Sequence, residues 1–549
     1  MCGITVSIAL DRRQRQPCTP ETRADLETKL SNSLDLIAHR GPDAKGIWIN
    51  EDASIGLGHN RLSINDLSPS ANQPPLYQVY GAPAFLNHLR GEFSLVLYDE
   101  RGGGANGGKV VLARDRFGIK PLFWTVGERT LFEGVRKVLP GGWVEVGADG
   151  EMVTGTYWDL GYPDKMGNQD ATKRICCFSI EFPDSRALDE SDIAERTANW
   201  LGVQILKQRM DETALAENFA DTAYHSEHHN MDLNAVGKFC LSKLPREHGY
   251  KVVLTGEGSD EHFAGYSLFI PDMLREPDLA TPESLLARDP ELRAELQDKT
   301  QQTIEGGMLS RSGMIQRVGD PEAYRELNGV RIMSWIQAWH GEQAQTNEIS
   351  AAAKEKMMTK WHPLHASQYI WTKTLLANNL LTCLGDRSEM AHSVEARPPF
   401  LDHELSEYVN ALPPSVKLAY TPDAESAAKK SGTPWDSRGS ITNSFTEKWI
   451  LREAGKPYIT TELYERRKHP YLAPSKWPKD GPMHRKLRGI CTREAVERLG
   501  FVDWEVVRKA LDNAFGEDAD NVAFRVLVVV GGWVTIGERF GVQRAELRS

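Results

Sequence analysis

Cys2 is the residue with the most chemistry in reach. The chain begins Met1-Cys2-Gly3-Ile4, and trimming of an initiator methionine before a small residue leaves a cysteine carrying both a thiol and a free α-amine. An α-amine ordinarily titrates at about pH 8, so a fraction is neutral near pH 7. A neutral amine beside a thiol is a nucleophile with its own general base. The bland alternative is a chance cysteine at position 2. An arginine fork suits a carboxylate. Arg61 stands in Gly58-His59-Asn60-Arg61-Leu62-Ser63-Ile64-Asn65-Asp66-Leu67, downstream of His39-Arg40-Gly41-Pro42-Asp43. The alternative is that Arg61 is simply a surface salt-bridge residue.

A second constellation follows the apolar run Lys251–Leu254, as Thr255-Gly256-Glu257-Gly258-Ser259-Asp260-Glu261. A strand ending in small residues presents backbone N–H groups to an anion such as a nucleotide phosphate. Glu257 and Asp260 supply carboxylates for proton handling and for Mg²⁺. The structural alternative is an acidic strand-to-helix turn with capping residues.

Two other groupings are weaker. His225-Ser226-Glu227-His228-His229 places His225 and His229 four apart, the spacing of helical zinc ligands, but no H-E-x-x-H is present. A structural or surface cluster is the reading taken. Cys176 and Cys177 are adjacent in an expected strand and would point to opposite faces. They read as buried free thiols.

These residues need a sizeable scaffold. At 549 residues the chain should hold two or more domains. It is 40% hydrophobic and 26% charged, an ordinary globular profile, and its net charge of −11 argues against a nucleic-acid partner. Seven cysteines in this length make no disulfide framework, and no secretory signal is visible, so a cytoplasmic, thiol-reduced protein is expected. Val526–Ile536 is too short to span a bilayer and reads as a buried helix, so no membrane partner is expected. Residues 4–10 alternate as a strand. Thr19-Pro20-Glu21 starts a helix on which Leu26, Leu30, Leu34 and Ile37 recur. Ser94–Tyr98 and Val110–Ala113 look like paired strands. The intervening Arg101–Gly108 reads as a flexible hairpin turn, since no Gly-Lys-Ser/Thr follows it. Residues 159–174 are polar and read as a linker, and a second domain starts at Ile175 with Lys251–Leu254 as a buried strand. Residues 274–360 read as mostly helical.

The N-terminal cysteine, HRGPD, the RLSI string and Arg114-Asp115-Arg116-Phe117-Gly118-Ile119-Lys120-Pro121-Leu122 together resemble the glutaminase domain of class II glutamine amidotransferases. The second half resembles asparagine synthetase. Thr255–Tyr266 is close to the family's SGEGSDE segment, and Asp386–Leu405 (DRSEMAHSVEARPPFLDHEL) is long and distinctive. Glu447–Ala454 and Arg467-Lys468 fit later segments. The resemblance implies an N-terminal-nucleophile αββα sandwich over 1–158, the linker, and a doubly wound parallel-sheet α/β synthetase domain with helical additions over 175–549. It implies glutamine-dependent amidation of aspartate through an acyl-adenylate, using ATP and Mg²⁺, in a possible homodimer. By the same carry-over Cys2 is the nucleophile and Arg61 the glutamine anchor, with Leu62, Ser63, Ile64 and Asn65 lining the glutamine. Glu257 supports formation and attack of the aspartyl adenylate. Thr255 and Gly256 touch the nucleotide, Ile180 flanks the adenine, Lys468 contacts a phosphate and Asp260 lies near Mg²⁺–pyrophosphate. The alternatives are an amide-forming tailoring enzyme acting on another carboxylic acid, a non-catalytic truncated homologue, and a β-lactam synthetase-like ring closer, which the retained Cys2 disfavours.

Three family segments are missing. NGEIYN, whose Asn-Gly pair builds the oxyanion hole, should follow Gln73-Pro74, but Leu89-Arg90-Gly91-Glu92-Phe93 comes next among the family strings. A SEIKALL-type segment is absent between Trp124 and Thr130. The phosphate-cradling SGGLDSS should lie between Tyr157-Trp158-Asp159 and Phe178-Ser179-Ile180. Losses in blocks between intact strings fit a mis-spliced or misannotated transcript better than gradual decay.

Overall fold

The computed structural model describes residues 3–8, 19–51, 53–61, 81–89, 91–99, 109–124, 136–147, 151–159, 176–184, 189–305, 326–327, 330–331, 350–422, 444–466, 468 and 471–545. Cys2, Leu62–Asn65, the 101–108 segment and most of the 159–174 linker fall outside them. The fold is mixed α/β with several small sheets. In chain order the elements used below are β1 (Gly3–Ile8), α1 (Pro20–Leu36), β2 (Ala44–Ile49), β3 (Ile55–Arg61), β4 (Ser94–Asp99), β5 (Lys109–Arg114), β6 (Gly142–Val146) and β7 (Met152–Thr156). Then follow β8 (Cys177–Glu181), α2 (Ser191–Leu201), β9 (Ile205–Arg209), α3 (Glu212–Ser226), α4 (Asn234–Glu247), β10 (Val252–Leu254) and α5 (Ser259–His262). Last come α6 (Pro363–Trp371), β11 (Glu395–Arg397), α7 (Trp449–Gly455) and α8 (Asn521–Arg539).

The chain divides into two compact units. The first takes residues 1–159 and adds two later stretches, 242–255 and 380–397. Among the described residues its two larger sheets are antiparallel, β1–β3–β2 and β4–β5–β6–β7. Side chains alternate along β3. Ile55 and Leu57 join Val110, Leu112, Val144 and Val146 of the second sheet in one apolar core. On the opposite face Gly56 and Gly58 leave room for α1. A Cβ at Gly56 would lie 2.6 Å from Leu30 Cδ1, and one at Gly58 3.0 Å from Leu34 Cδ1. Helix α1 starts where its sequence signals it. Thr19 caps the N-terminus with Thr22 in a reciprocal box, and Pro20 fills the first turn.

The second unit takes 160–241, 256–379 and 398–549. Strands β8 and β9 pair in parallel across α2, a β–α–β arrangement. The C-terminal apolar run is the middle of α8, which at 19 residues is longer than the sequence suggested. By length and composition alone α8 is able to cross a bilayer. Its apolar stretch is 67% buried inside the protein, and Val526–Val530 are all but fully enclosed, so it serves as a core helix.

Two burial expectations need correction. The Lys251–Leu254 strand exists as β10, paired in parallel with β11 in the first unit. Instead of being buried, Val252 and Val253 are half-covered and Leu254 is 50% exposed. Among the described residues this sheet has only those two strands, so one edge of β10 has no ladder to cover it. A parallel sheet normally has both faces covered. Cys176 and Cys177 are free thiols but half-exposed, because β8 also lies in a two-stranded sheet.

Candidate active site

The described parts of the HRGPD and RLSI strings meet at the end of β3. After α1 the chain makes a tight turn at Ala38–Arg40, and Gly41 then runs against the β3 backbone. A Cβ at Gly41 would sit 2.4 Å from the carbonyl carbon and oxygen of Asn60, so only glycine fits there. Asp43 N–H donates to the Arg61 carbonyl at 2.9 Å, and Asn60 Nδ2 donates to the Leu34 carbonyl at 2.6 Å. HRGPD therefore braces the strand end that carries Arg61. Gly3 pairs with Asn60, one residue before Arg61. Cys2 and Leu62–Asn65 lie outside the described residues.

The ARDRFGIKPL string is a buried clamp. Asp115 accepts the backbone N–H groups of Phe117, Ile119 and Lys120 at 2.8–3.2 Å. Lys120 ion-pairs with Glu92 at 3.0 Å and Asp386 at 3.5 Å, and Arg40 NH2 binds the other Asp386 oxygen at 2.7 Å. Burial alone would lower the Lys120 pKa. Asp386, Glu92 and Glu395 outweigh it and hold the ammonium charged.

In the second unit the acidic loop leads into α5. Gly258 adopts φ +94°, and a Cβ there would lie 2.3 Å from Leu401 Cδ2. Glu261 turns back to accept the Gly258 N–H at 3.0 Å and the Tyr266 hydroxyl at 2.8 Å. Burial, with nearby Asp260, pushes Glu261 up to about 6. Three lysines meet the loop, two of them from far along the chain. Lys238 on α4 pairs with Glu257. Lys448 lies 2.9 Å from Asp260 Oδ1, and Lys468 lies 3.1 Å from Asp260 Oδ2. Lys448 also donates to Ser259 Oγ at 3.0 Å and holds φ +55°, a left-handed backbone that costs about 1–3 kcal/mol. Burial pushes the Lys448 pKa down, partly offset by Asp260. Thr255 N–H donates to the Arg397 carbonyl at 3.1 Å, and Gly256 is exposed with open space where a Cβ would be. Ile180 lies on β8 against Gly237 of α4, beside Tyr471.

Comparison with known proteins places this geometry in a family. Residues 166–532 match the family model described as asparagine synthase, and two glutamine amidotransferase domain models match residues 1–81 and 70–139. The chain belongs to the asparagine synthase family. It is 32% identical to Amidase chry2 of Gibberella zeae over 695 aligned positions that cover all of both chains. It is also 32% identical to Amidase chyE of Penicillium rubens, covering 99% of each. Asparagine synthetase [glutamine-hydrolyzing] 1 of Bacillus subtilis is 19% identical, over 91% of this chain and 92% of that one. An alignment of 695 positions onto 549 residues shows that chry2 carries residues without a counterpart here.

Within this asparagine synthase-family chain, the residues present do not fit Mg²⁺ at Asp260. Each Asp260 oxygen already faces an ammonium group. Among the described residues no three His, Cys, Asp or Glu side chains cluster as a metal site. A hard dication needs several oxygen donors and a net negative surround. The aspartate of the absent SGG-x-DS segment would be the family's second carboxylate. The histidine string does not lie on one helix. Helix α3 ends at Ser226, so His229 is off the helix that carries His225. His229 packs on Trp533 at 5.1 Å, and burial, with His228 beside it, pushes it down to about 3.

Sequence reasoning missed Lys238 altogether, and it quoted Glu261, Tyr266 and Lys448 within motif strings without foreseeing their contacts with the loop. Glu261 was legible as the third residue after Gly258, the position from which a side chain caps a helix start. The lysines had no local signal.

The same core holds a titrating group. Lys417 is fully buried, and its ammonium reaches Gln368 Oε1 at 3.4 Å. Gln368 Nε2 in turn donates to the carbonyls of Glu261 at 2.6 Å and His262 at 2.9 Å. Burial, against Asp278, pushes Lys417 down to about 7 from 10.5. The unfolded chain therefore binds more protons than the folded one between those values, and this group makes stability rise with pH across that window. Its penalty is complete below about 7 and gone above 10.5. Denaturant melts between pH 7 and 9.5 should show a positive slope that Lys417→Met flattens. Equal slopes for both proteins contradict the assignment.

Proposed function

We propose that this chain is built for glutamine-dependent amidation of a small carboxylic acid through an acyl-adenylate. Residues 1–158 serve as an N-terminal-nucleophile sandwich and residues 175–549 as a doubly wound synthetase domain, in the cytoplasm. The Cys2 thiolate attacks the glutamine amide carbon, ammonia leaves, and water releases glutamate from the thioester. Arg61 holds the glutamine α-carboxylate, with Leu62–Asn65 beside it. A carboxylate oxygen of the acceptor attacks the α-phosphorus of ATP and pyrophosphate leaves. Ammonia then attacks the acyl carbon, AMP leaves, and Glu257 handles the proton. Ile180, Thr255 and Gly256 bind the nucleotide, and Lys468 binds phosphate.

The observation that carries this reading is the acidic loop after β10, with Glu257 and Asp260 each held by lysines in a chain of this family. The same observation supports an acceptor other than aspartate. Both loop carboxylates already hold ammonium groups, which leaves little negative charge for an amino-acid acceptor's own ammonium. The amidase names of the two relatives at 32% identity agree with that reading. Aspartate is the second reading, favoured by the Bacillus relative's name.

The glutamine half is tested on the chain itself. Intact-mass spectrometry should show loss of Met1, and an electrophilic glutamine analogue should label Cys2 and no other cysteine. Retention of Met1, or equal labelling of Cys2→Ala, sinks the assignment.

A further inference from the structure

We propose that Lys238 is the positioning residue for Glu257, set opposite it by α4. This rests on the reading of Glu257 as the proton-handling group. The backbone around Glu257 has one path, because Gly258 is pinned at φ +94° against Leu401 and its N–H is held by Glu261. The flanking Gly256 and Gly258 have no side chains with which to direct it. Lys238 supplies one by donating from its ammonium to Glu257 Oε1. The two side chains are 19% and 22% exposed, so water screens the pair only in part.

Lys238 stands out on its own helix. Ala235, Val236, Phe239 and Cys240 around it are buried apolar residues. The predecessor of Lys238, Gly237, makes the other contact of this stretch. A Cβ at Gly237 would lie 2.2 Å from the Tyr471 hydroxyl and 2.8 Å from Ile180 Cδ1. Consecutive helical residues project about 100° apart. One turn of α4 therefore touches Ile180, the proposed nucleobase contact, with Gly237 and the proposed acyl-transfer carboxylate with Lys238. The helix spaces the two ends of one substrate assembly.

Like charges and a phenol lie near Glu257, and the Lys238 ammonium opposes them. Asp260 lies three residues on, already holding Lys448 and Lys468, and Tyr266 is electrostatically coupled to Glu257. Removing the Lys238 ammonium takes away a charge that favours the Glu257 carboxylate form beside Asp260.

The test uses the full 549-residue protein and needs no turnover, so it can fail independently of the proposed reaction. A water-soluble carbodiimide with excess small amine is applied at pH 6, and amidation of each carboxylate is read by peptide mass spectrometry. Glu257 should react slowly in the wild type and about tenfold faster in Lys238→Met, the scale of losing an opposite charge within 4–6 Å. Lys238→Arg should restore the slow rate, with Asp260 unchanged in all three. Wild-type labelling of Glu257 in Lys238→Met, or failure of arginine to restore it, overturns the proposal. Should Lys238→Met unfold, carbodiimide without added amine decides on the wild type. A Glu257–Lys238 isopeptide cross-link, formed with transfer of water to the carbodiimide, is the expected product. Its absence overturns the proposal.

Discussion

Given glutamine, ATP, Mg²⁺ and a panel of carboxylic acids that includes aspartate, the 549-residue chain is expected to form less than about a hundredth of the amide and AMP made by a version with the three family segments restored. Loss of a single oxyanion donor costs about 10²–10³ in rate, and here the whole NGEIYN segment is gone. The absent SGG-x-DS segment removes converging backbone N–H groups, which Lys448 and Lys468 cannot replace because point charges do not form a cradle. Two features of the described residues motivate this expectation. Strands β8–β9 and β10–β11 form separate two-stranded parallel sheets among the described residues, and Leu254 is half-exposed where a parallel strand would be covered. Glutamate, AMP and amide should be measured separately, since glutamate release does not depend on the acceptor. Turnover by the short chain close to that of the restored one would show that the missing segments are dispensable.

The largest expected effect on stability is at Asp386. Asp386→Ala should lower the unfolding free energy by about 3–5 kcal/mol, the cost of stripping a buried partner from charges that stay buried. Its side chain is 1% exposed, and it accepts from Arg40 at 2.7 Å and Lys120 at 3.5 Å. Burial alone would raise its pKa, but Arg40 and Lys120 outweigh that and hold it below the ordinary aspartate value. The contribution is therefore present above the unfolded pKa of about 3.9 and is lost as pH falls through the lower folded value. Chemical melts at pH 7 for wild type, Asp386→Asn and Asp386→Ala give the size. A loss under about 1 kcal/mol, the range of surface pairs, would mean that water reaches the cluster.

Local signals carried much of the fold. Thr19-Pro20 marked the start of α1. Leu30 and Leu34 faced inward at helical spacing, and the 94–98 and 110–113 runs became β4 and β5. Motif strings carried the acidic loop and Lys468 the same way. Contacts between remote segments were not legible, because nothing periodic records them. Lys448 and Lys468 reach Asp260 from about two hundred residues away, and Asp386 reaches Arg40 across a longer separation. Burial was misjudged at Leu254 and Cys176-Cys177 for a related reason. Apolar composition says that a strand wants cover, whereas the partner strands present decide whether it receives any.

The membership of residues 380–397 in the first unit sets a timetable for synthesis. At about 5–20 residues per second, a ribosome needs on the order of ten seconds to a minute to pass from residue 159 to residue 397. Through that interval Arg40 and Lys120 have been made and Asp386 has not. The amino-terminal segment must wait, part-assembled, for its counter-charge. The nascent chain is therefore a natural client for a holding chaperone, and an isolated fragment ending at the polar linker should accumulate as inclusion bodies.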